Sequence, residues 1–145
     1  MTVWAAGREI LVVGVLQGSF IFLADLVRRL PGPVRIGFVD REGAPIQPFP
    51  PLAGARVVLV EDILDTGESL VRILERLRTG GPAEVRTCIL FDKPSGRKVA
   101  IEADWTGLAV PDRWVVGYGL DDAGLGRNLP HLTWAGRASD DRKVP

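Results

Sequence analysis

The stretch from Val57 to Leu77 constrains the fold more than any other part of the chain. It begins with four consecutive aliphatic residues, which are typical of a strand buried on both faces of a parallel sheet. Glu61 and Asp62 follow at once, and we expect the strand to reach the surface there because burying two carboxylates is unfavourable. A short turn and an amphipathic run from residue 70 complete a strand–turn–helix unit. In open parallel sheets, ligands bind at the carboxyl ends of such strands.

The turn after this strand has the parts of a phosphate-binding loop. Thr66 and Ser69 supply hydroxyl donors, and Gly67 allows the backbone to approach a ligand closely. The N-terminus of the following helix favours an anion at the same place. Asp65 and the two earlier acids would repel a phosphate, so we expect them to face a sugar diol or a magnesium ion. A phosphorylated sugar meets both requirements, whereas Glu68 taken alone is explained by helix capping.

Other apolar runs indicate an α/β domain. Four prolines exclude a central strand between residues 40 and 51, which is expected to be a loop or a loose hairpin. The 145 residues, 15.7 kDa in mass, fit a single domain over 1–145 with a polar tail from about 135 to 145. Further buried strands are predicted at 10–16, 34–39 and 85–91, and a helix at 20–30.

Charge and cysteine content exclude several functional classes. Lys and Arg together number 18, as do Asp and Glu, and this zero net charge argues against a dedicated nucleic-acid binder. The single cysteine, Cys88, cannot form an intramolecular disulfide and is interpreted as a core residue. His131, the only histidine, has no second metal ligand beside it. Nothing resembles a signal peptide or a membrane span, so a cytoplasmic protein with no membrane partner is predicted.

Three strings of residues resemble one family. The string "VVLVEDILDTGESL" at 57–70 resembles the phosphoribosyl-pyrophosphate (PRPP) loop of type I phosphoribosyltransferases. "GVLQGSFIFLADLVRRL" is similar to the family's pyrophosphate loop and following helix, and "VVGYGLD" to its base-binding stretch. These motifs occur in family order over roughly residues 10 to 132, and together they look like the hypoxanthine-guanine branch. The resemblance implies a central, mostly parallel sheet flanked by helices, with a small C-terminal hood.

The resemblance also assigns the sugar and phosphate contacts. It implies that Asp65 is a general base or hydrogen-bond partner at purine N7, while Glu61 and Asp62 hold the ribose hydroxyls and stabilise positive charge on the sugar. A magnesium ion would be held by Asp121 and Asp62. The 5′-phosphate would be bound by Asp65, Thr66, Gly67, Glu68 and Ser69, and the pyrophosphate by Leu16, Gln17, Gly18 and Arg127. Family members commonly carry lysine where this chain has glutamine at position 17.

The base would be bound by three residues from later in the chain. Lys93, in the string "DKP", would contact the exocyclic purine oxygen, and a donor-only ammonium favours a C6 carbonyl over the adenine amino group. Trp114 would stack on the purine, and backbone groups of Val115 would bond its edge. Hypoxanthine, guanine and xanthine all carry the C6 oxygen. Arg97 lies close enough in sequence to help orient this site, although its position alone predicts no role.

The implied activity is purine salvage, in which hypoxanthine or guanine and PRPP give the nucleoside monophosphate and pyrophosphate. Such chains commonly form homodimers or homotetramers. Three departures favour a rival hypothesis, a non-catalytic relative that binds nucleotide or PRPP as a sensor or regulator, and one of them is the glutamine at position 17. The 40–53 loop is much shorter than the family's flexible lid and lacks its Ser-Tyr pair, and the usual helical segment before the first strand is missing. A related regulator that binds RNA is disfavoured by the neutral charge.

Overall fold

A computed structural model of the chain describes residues 1–5 and 7–135. Its central feature is a six-stranded sheet that confirms the predicted α/β fold. Three helices are described: α1 (Thr2–Ala5), α2 (Phe20–Val27) and α3 (Glu68–Thr79). The strands of the sheet are β1 (Ile10–Val15), β2 (Val34–Val39), β3 (Pro45–Ile46), β4 (Arg56–Leu64), β5 (Glu84–Asp92) and β6 (Trp105–Ala109).

The order of the strands explains where a ligand can bind. It runs β3-β2-β1-β4-β5-β6, and every pair is parallel except β2 with β3. The chain moves outward from β1 to β2 and then returns to the other side of β1 for β4. The carboxyl ends of β1 and β4 therefore flank a topological switch point, where open α/β sheets bind ligands.

The core has one layer on each face of the sheet. Alternate residues of β1 and β4 point to opposite faces, as their period-two geometry requires. On one face, Leu11 and Leu59 pack with the apolar stripe of α3, which includes Ile73. On the other face, Val12 packs with Leu23 of α2. Each fully buried aliphatic side chain stabilises the fold by roughly 1.5–3 kcal/mol.

The predicted secondary structure needs three corrections. The strand at 57–60 does not reach the surface at the acids, because the ladder of β4 with β5 continues to Leu64 and Glu61 is only 7% exposed. The helix predicted at 20–30 ends at Val27. Strand β6 was not predicted, because it is an edge strand with exposed side chains and no apolar period. The loose hairpin at 40–51 is confirmed, since β3 pairs with the edge of β2.

A small lobe after β6 forms the C-terminal hood. It contains the two-stranded sheet of β7 (Val115–Val116) and β8 (Thr133–Trp134), and an apolar cluster joins it to Phe91 of β5. The hydroxyl of Tyr118 in the hood donates a hydrogen bond to the carboxylate of Asp25 on α2. Within the described ranges, no helix is long and apolar enough to cross a membrane. Most of the predicted polar tail, residues 136–145, lies outside the described part of the chain.

Candidate active site

A cleft of about 320 Å³ lies at the carboxyl ends of β1, β2 and β4, between α3 and the hood. Two larger hollows, of about 690 and 750 Å³, lie beside β6 and between α2 and the hood, but neither is lined by the phosphate-loop residues or by Glu61 and Asp62. The cleft therefore brings together most of the residues that the sequence predicts for the site. The predicted site residues on its wall are Leu16, Gln17, Gly18, Glu61, Asp62, Asp65, Thr66, Ser69, Asp121 and Arg127.

Five predicted site residues lie outside the cleft wall. Lys93 is buried, with 4% of its surface exposed, but its Nζ lies 3.5 Å from Asp65 Oδ2 at the edge of the cleft. Trp114 is 62% exposed beside the hood sheet. The other three are Gly67 and Glu68, around the start of α3, and Val115, buried in β7.

The phosphate loop is built as the local sequence requires. Helix α3 begins at Glu68, so the backbone N–H groups of its first turn have no partners within the helix and can bind an anion. Gly67 has a φ of 84°, a left-handed conformation that favours glycine. A Cβ there would lie 2.6 Å from Ile101 and 2.8 Å from Val99. This glycine is therefore needed for packing against the segment after β5, and its role in ligand approach stays a prediction.

The two acids of β4 are held in an unfavourable state. Burial, together with the nearby charge of Asp62, raises the pKa of Glu61 to about 8. One oxygen of Glu61 accepts from the Ser69 hydroxyl at 3.4 Å, whereas Oε2 is buried with no hydrogen-bond partner among the described residues. Burial also raises the pKa of Asp62, against the backbone N–H groups and Arg127, which lower it. A hydroxyl donor or a cation in the cleft would satisfy both groups.

Glycines let three parts of the chain meet at the end of β1. A Cβ on Gly18 would lie 1.7 Å from Asp62 Oδ2, so only glycine allows this loop to lie against the acid. A Cβ on Gly119 of the hood would lie 1.9 Å from the carbonyl oxygen of Gly18. The peptide bond between Leu16 and Gln17, in the same loop, is cis. The predicted pyrophosphate loop is thus enclosed between β4 and the hood.

The predicted pyrophosphate and metal residues of the hood are paired with each other. Arg127 lies 2.6 Å from Asp121, and its guanidinium also donates to the carbonyl of Gly119 at 2.7 Å. The other oxygen of Asp121 accepts from the N–H of Gly124 at 2.7 Å. A ligand that used either side chain would exchange partners with this pair.

Arg97 lies beside the cleft, in the wall of the hollow next to β6, and the sequence alone assigns it no role. Its guanidinium donates to the carbonyl of Leu64 at 2.6 Å, to that of Lys93 at 3.1 Å, and to that of Asp65. It also pairs with the carboxylate of Asp92. Arg97 therefore ties the end of β4 to the end of β5. Its partners are mostly backbone carbonyls, so no residue pattern could have signalled them.

Two carboxylates of the cleft suit a magnesium ion whose remaining ligands come from a substrate. Asp62 and Asp121 both line the cleft, and the charge of Asp121 contributes to raising the pKa of Asp62, a repulsion that a cation would relieve. No group of three or more potential protein ligands for a metal occurs among residues 1–5 and 7–135. Magnesium commonly binds through one or two carboxylates and takes its other ligands from substrate phosphates and water, so the pair of Asp62 and Asp121 is enough for such a site.

Comparison with known proteins identifies the family. The phosphoribosyl transferase domain family matches residues 2–123. A hypoxanthine-guanine phosphoribosyltransferase of Aquifex aeolicus is 42% identical over 137 residues, covering 86% of this chain and 77% of that protein. A hypoxanthine phosphoribosyltransferase of Haemophilus influenzae is 37% identical over 143 residues, covering 86% and 76%.

A solved structure agrees with the family match and with these two relatives. The crystal structure of a hypoxanthine-guanine phosphoribosyltransferase from Bacillus anthracis has a TM-score of 0.84 and 35% identity, covering 90% of this chain and 84% of that one. The fold and the sequence therefore point to the same family, and the chain belongs to the phosphoribosyltransferases, in their hypoxanthine-guanine branch.

Proposed function

We propose that this protein transfers the phosphoribosyl group of PRPP to hypoxanthine or guanine, giving IMP or GMP and pyrophosphate. The observation that carries the proposal is the cleft at the switch point, where the buried Glu61 and the half-buried Asp62 of β4 lie next to the N-terminus of α3. The acids suit the ribose hydroxyls of a phosphorylated sugar, and the helix N-terminus suits its phosphate. Relatives named as hypoxanthine or hypoxanthine-guanine phosphoribosyltransferases support the same activity.

The sugar is activated by the acids of the cleft. In the reaction, the bond from ribose C1′ to the pyrophosphate oxygen breaks, a purine nitrogen bonds to C1′, and the purine loses one proton. Positive charge develops on the sugar as the leaving group departs. Glu61 and Asp62 accept hydrogen bonds from the ribose hydroxyls and stabilise that charge electrostatically. Their unfavourable burial in the empty cleft is relieved when the sugar binds.

The purine is oriented by Asp65 and Lys93. Asp65 holds or removes the proton at purine N7, and Lys93 donates to the C6 oxygen. The 3.5 Å contact between these two side chains supports their action on one base. Trp114 stacks on the ring and Val115 bonds its edge through the backbone, as the family resemblance implies. With adenine, the buried ammonium would face an amino group instead of the C6 oxygen, and two donors would oppose each other, which disfavours adenine.

The phosphate groups bind on either side of the sugar. The 5′-phosphate lies on residues 65–69, at the start of α3, and the pyrophosphate on the loop of Leu16, Gln17 and Gly18 with Arg127. Asp62 and Asp121 would hold a magnesium ion, which would neutralise charge on the pyrophosphate. We expect the single domain to act as a homodimer or homotetramer in the cytoplasm. Sedimentation of the purified protein tests the expected oligomeric state.

A turnover assay tests the proposed function. Purified protein, magnesium and PRPP are combined with hypoxanthine, guanine, xanthine or adenine, and nucleotide formation is measured. We expect product from the 6-oxopurines and a decrease of about 10²- to 10⁴-fold in Asp65→Asn, the range for losing a general base. If no nucleotide forms although PRPP binds in calorimetry, the enzyme proposal is wrong and a PRPP sensor is the better description.

A further inference from the structure

The turn after β2 has a fixed backbone. Asp40 bonds at both ends of the turn: its N–H donates to the carbonyl of Ala44 at 3.0 Å, and its carbonyl accepts from Gly43 at 2.9 Å. Its side-chain oxygen accepts from the N–H groups of Glu42 at 2.9 Å and Ala44 at 2.8 Å. These bonds close residues 40–44 into a compact turn with Arg41 at its tip.

The same turn is anchored to α3. Gly43 is buried, and a Cβ on it would lie 3.3 Å from the Cα of Ile73. Glu42 forms an ion pair with Arg72 of α3 at 3.0 Å. Arg41 is thus held between Asp40, which closes the turn, and the two residues after it, which contact α3. It therefore has a defined position at the cleft, whose wall it helps to form.

The charges of the cleft single out Arg41. Three arginines line it, among four carboxylates. Arg72 is paired with Glu42, and Arg127 is paired with Asp121. Arg41 is exposed and takes part in no ion pair or side-chain hydrogen bond within the described part of the chain. It is therefore the cation most available to an anionic ligand.

The position of Arg41 next to the end of β1 indicates which anionic group it contacts. Strands β1 and β2 are adjacent, and the N–H of Leu16 donates to the carbonyl of Val39 at 2.8 Å. Arg41 follows Val39 by two residues, so it emerges beside the loop of Leu16, Gln17 and Gly18. The loop that precedes α3 lies beyond that loop, at the end of β4.

We propose that Arg41 binds the pyrophosphate group of PRPP, as a fixed cation supplied by the short turn. This inference rests on the proposed function. The guanidinium is suited to two parallel hydrogen bonds with phosphate oxygens, and no side-chain charge comes from the neighbouring Gln17. Because the turn is already closed, Arg41 needs no large loop movement to reach the ligand.

The test compares three ligands in the full chain. With magnesium present, calorimetry measures binding of PRPP, pyrophosphate and IMP to the wild type, Arg41→Gln, Arg41→Lys and the control Arg78→Gln on the exposed side of α3. We expect Arg41→Gln to bind PRPP and pyrophosphate about tenfold more weakly, with IMP, which has only the 5′-phosphate, changed less than twofold. Arg41→Lys should retain part of the affinity, and Arg78→Gln all of it. Thermal unfolding of Arg41→Gln should be unchanged because the side chain is exposed.

Other outcomes separate this inference from the proposed function. Unchanged PRPP and pyrophosphate binding in Arg41→Gln, alongside normal turnover, would overturn the role of Arg41 and leave the enzyme proposal intact. An equal loss for IMP would also overturn it, because the arginine would then serve the 5′-phosphate or the general potential of the cleft. A wild-type protein that binds neither PRPP nor pyrophosphate would overturn both.

Discussion

The two ends of the cleft differ in how completely their charges are paired. At the β5 end, Lys93 lies 3.5 Å from Asp65, and Arg97 bonds the carbonyls at the ends of β4 and β5 and the carboxylate of Asp92. At the β1 end, the buried Oε2 of Glu61 has no hydrogen-bond partner among the described residues. Arg41, which follows β2 and lines the same cleft, takes part in no ion pair of the described chain.

This difference separates groups that stabilise the structure of the site from groups that are free to bind the substrate. The paired end fixes the relative positions of the two side chains proposed to act on the purine, before any ligand binds. The unpaired end holds groups whose proposed partners are the hydroxyls and phosphates of the ligand. Interactions formed only on binding raise affinity or rate, whereas interactions already made within the protein contribute to geometry and stability.

Breaking the paired end should have the largest effect. In Arg97→Lys, one ammonium cannot reach three carbonyls and Asp92, so the ends of β4 and β5 lose their common partner. We expect kcat/KM for hypoxanthine to fall by about 10²-fold, the scale of a small misplacement of catalytic groups. The free energy of unfolding should fall by about 2 kcal/mol, because partly buried carbonyls are left unpaired. Steady-state kinetics and urea unfolding measure the two effects.

A second arginine provides the control for that experiment. Arg86, like Arg97, is held by several acceptors, but these are two carboxylates, Glu84 and Asp104, both at 2.7 Å, near the amino end of β5 and away from the cleft. Arg86→Lys should lower stability slightly and leave kcat/KM within twofold of the wild type. If Arg97→Lys retained full activity, or lost it only in proportion to the unfolded fraction, the paired end would be structural alone.

The unpaired end predicts an unusual dependence of stability on pH. The pKa of Glu61 is about 8 in the folded protein, against an ordinary value of 4.5. Between these values the folded chain keeps a proton that the unfolded chain releases, so raising the pH lowers the free energy of unfolding, by at most about 1.4 kcal/mol per pH unit for this group. Urea unfolding of the ligand-free protein from pH 5 to 9 should therefore show a loss of stability that Glu61→Gln reduces.

Substitution of an exposed acid distinguishes the pH dependence of stability caused by Glu61 from that caused by the other acids of the chain. Glu75 lies on the exposed side of α3, so Glu75→Gln should keep the wild-type pH dependence. Glu61→Gln should also lower kcat/KM about tenfold, because an uncharged amide accepts a weaker hydrogen bond from the ribose than a carboxylate does. A Glu61→Gln protein with the full wild-type loss of stability would mean that this group is not the source.

The paired and unpaired ends were not equally predictable from the sequence. Aliphatic runs identify β1, β4 and β5 because strands buried on both faces have no polar alternation. The resemblance of the β4 string finds the acids, but the burial of Glu61 depends on its place in the sheet beside β5 and on the contact with Ser69 of α3. Arg97 bonds carbonyls 32 and 33 positions earlier in the chain, and a backbone carbonyl carries no residue identity.

The smallest effect is expected at the proposed stacking residue, Trp114. This side chain is 62% exposed and lies outside the cleft wall, so Trp114→Ala should leave thermal unfolding nearly unchanged. Loss of stacking on the purine should raise KM for hypoxanthine by roughly 2- to 10-fold, with kcat nearly constant and Trp114→Phe in between. An unchanged KM would mean that the indole does not meet the base, whereas a 10²-fold rise would mean that stacking outweighs the paired polar groups. The intermediate result would leave Asp65 and Lys93, held by Arg97, as the main determinants of base recognition.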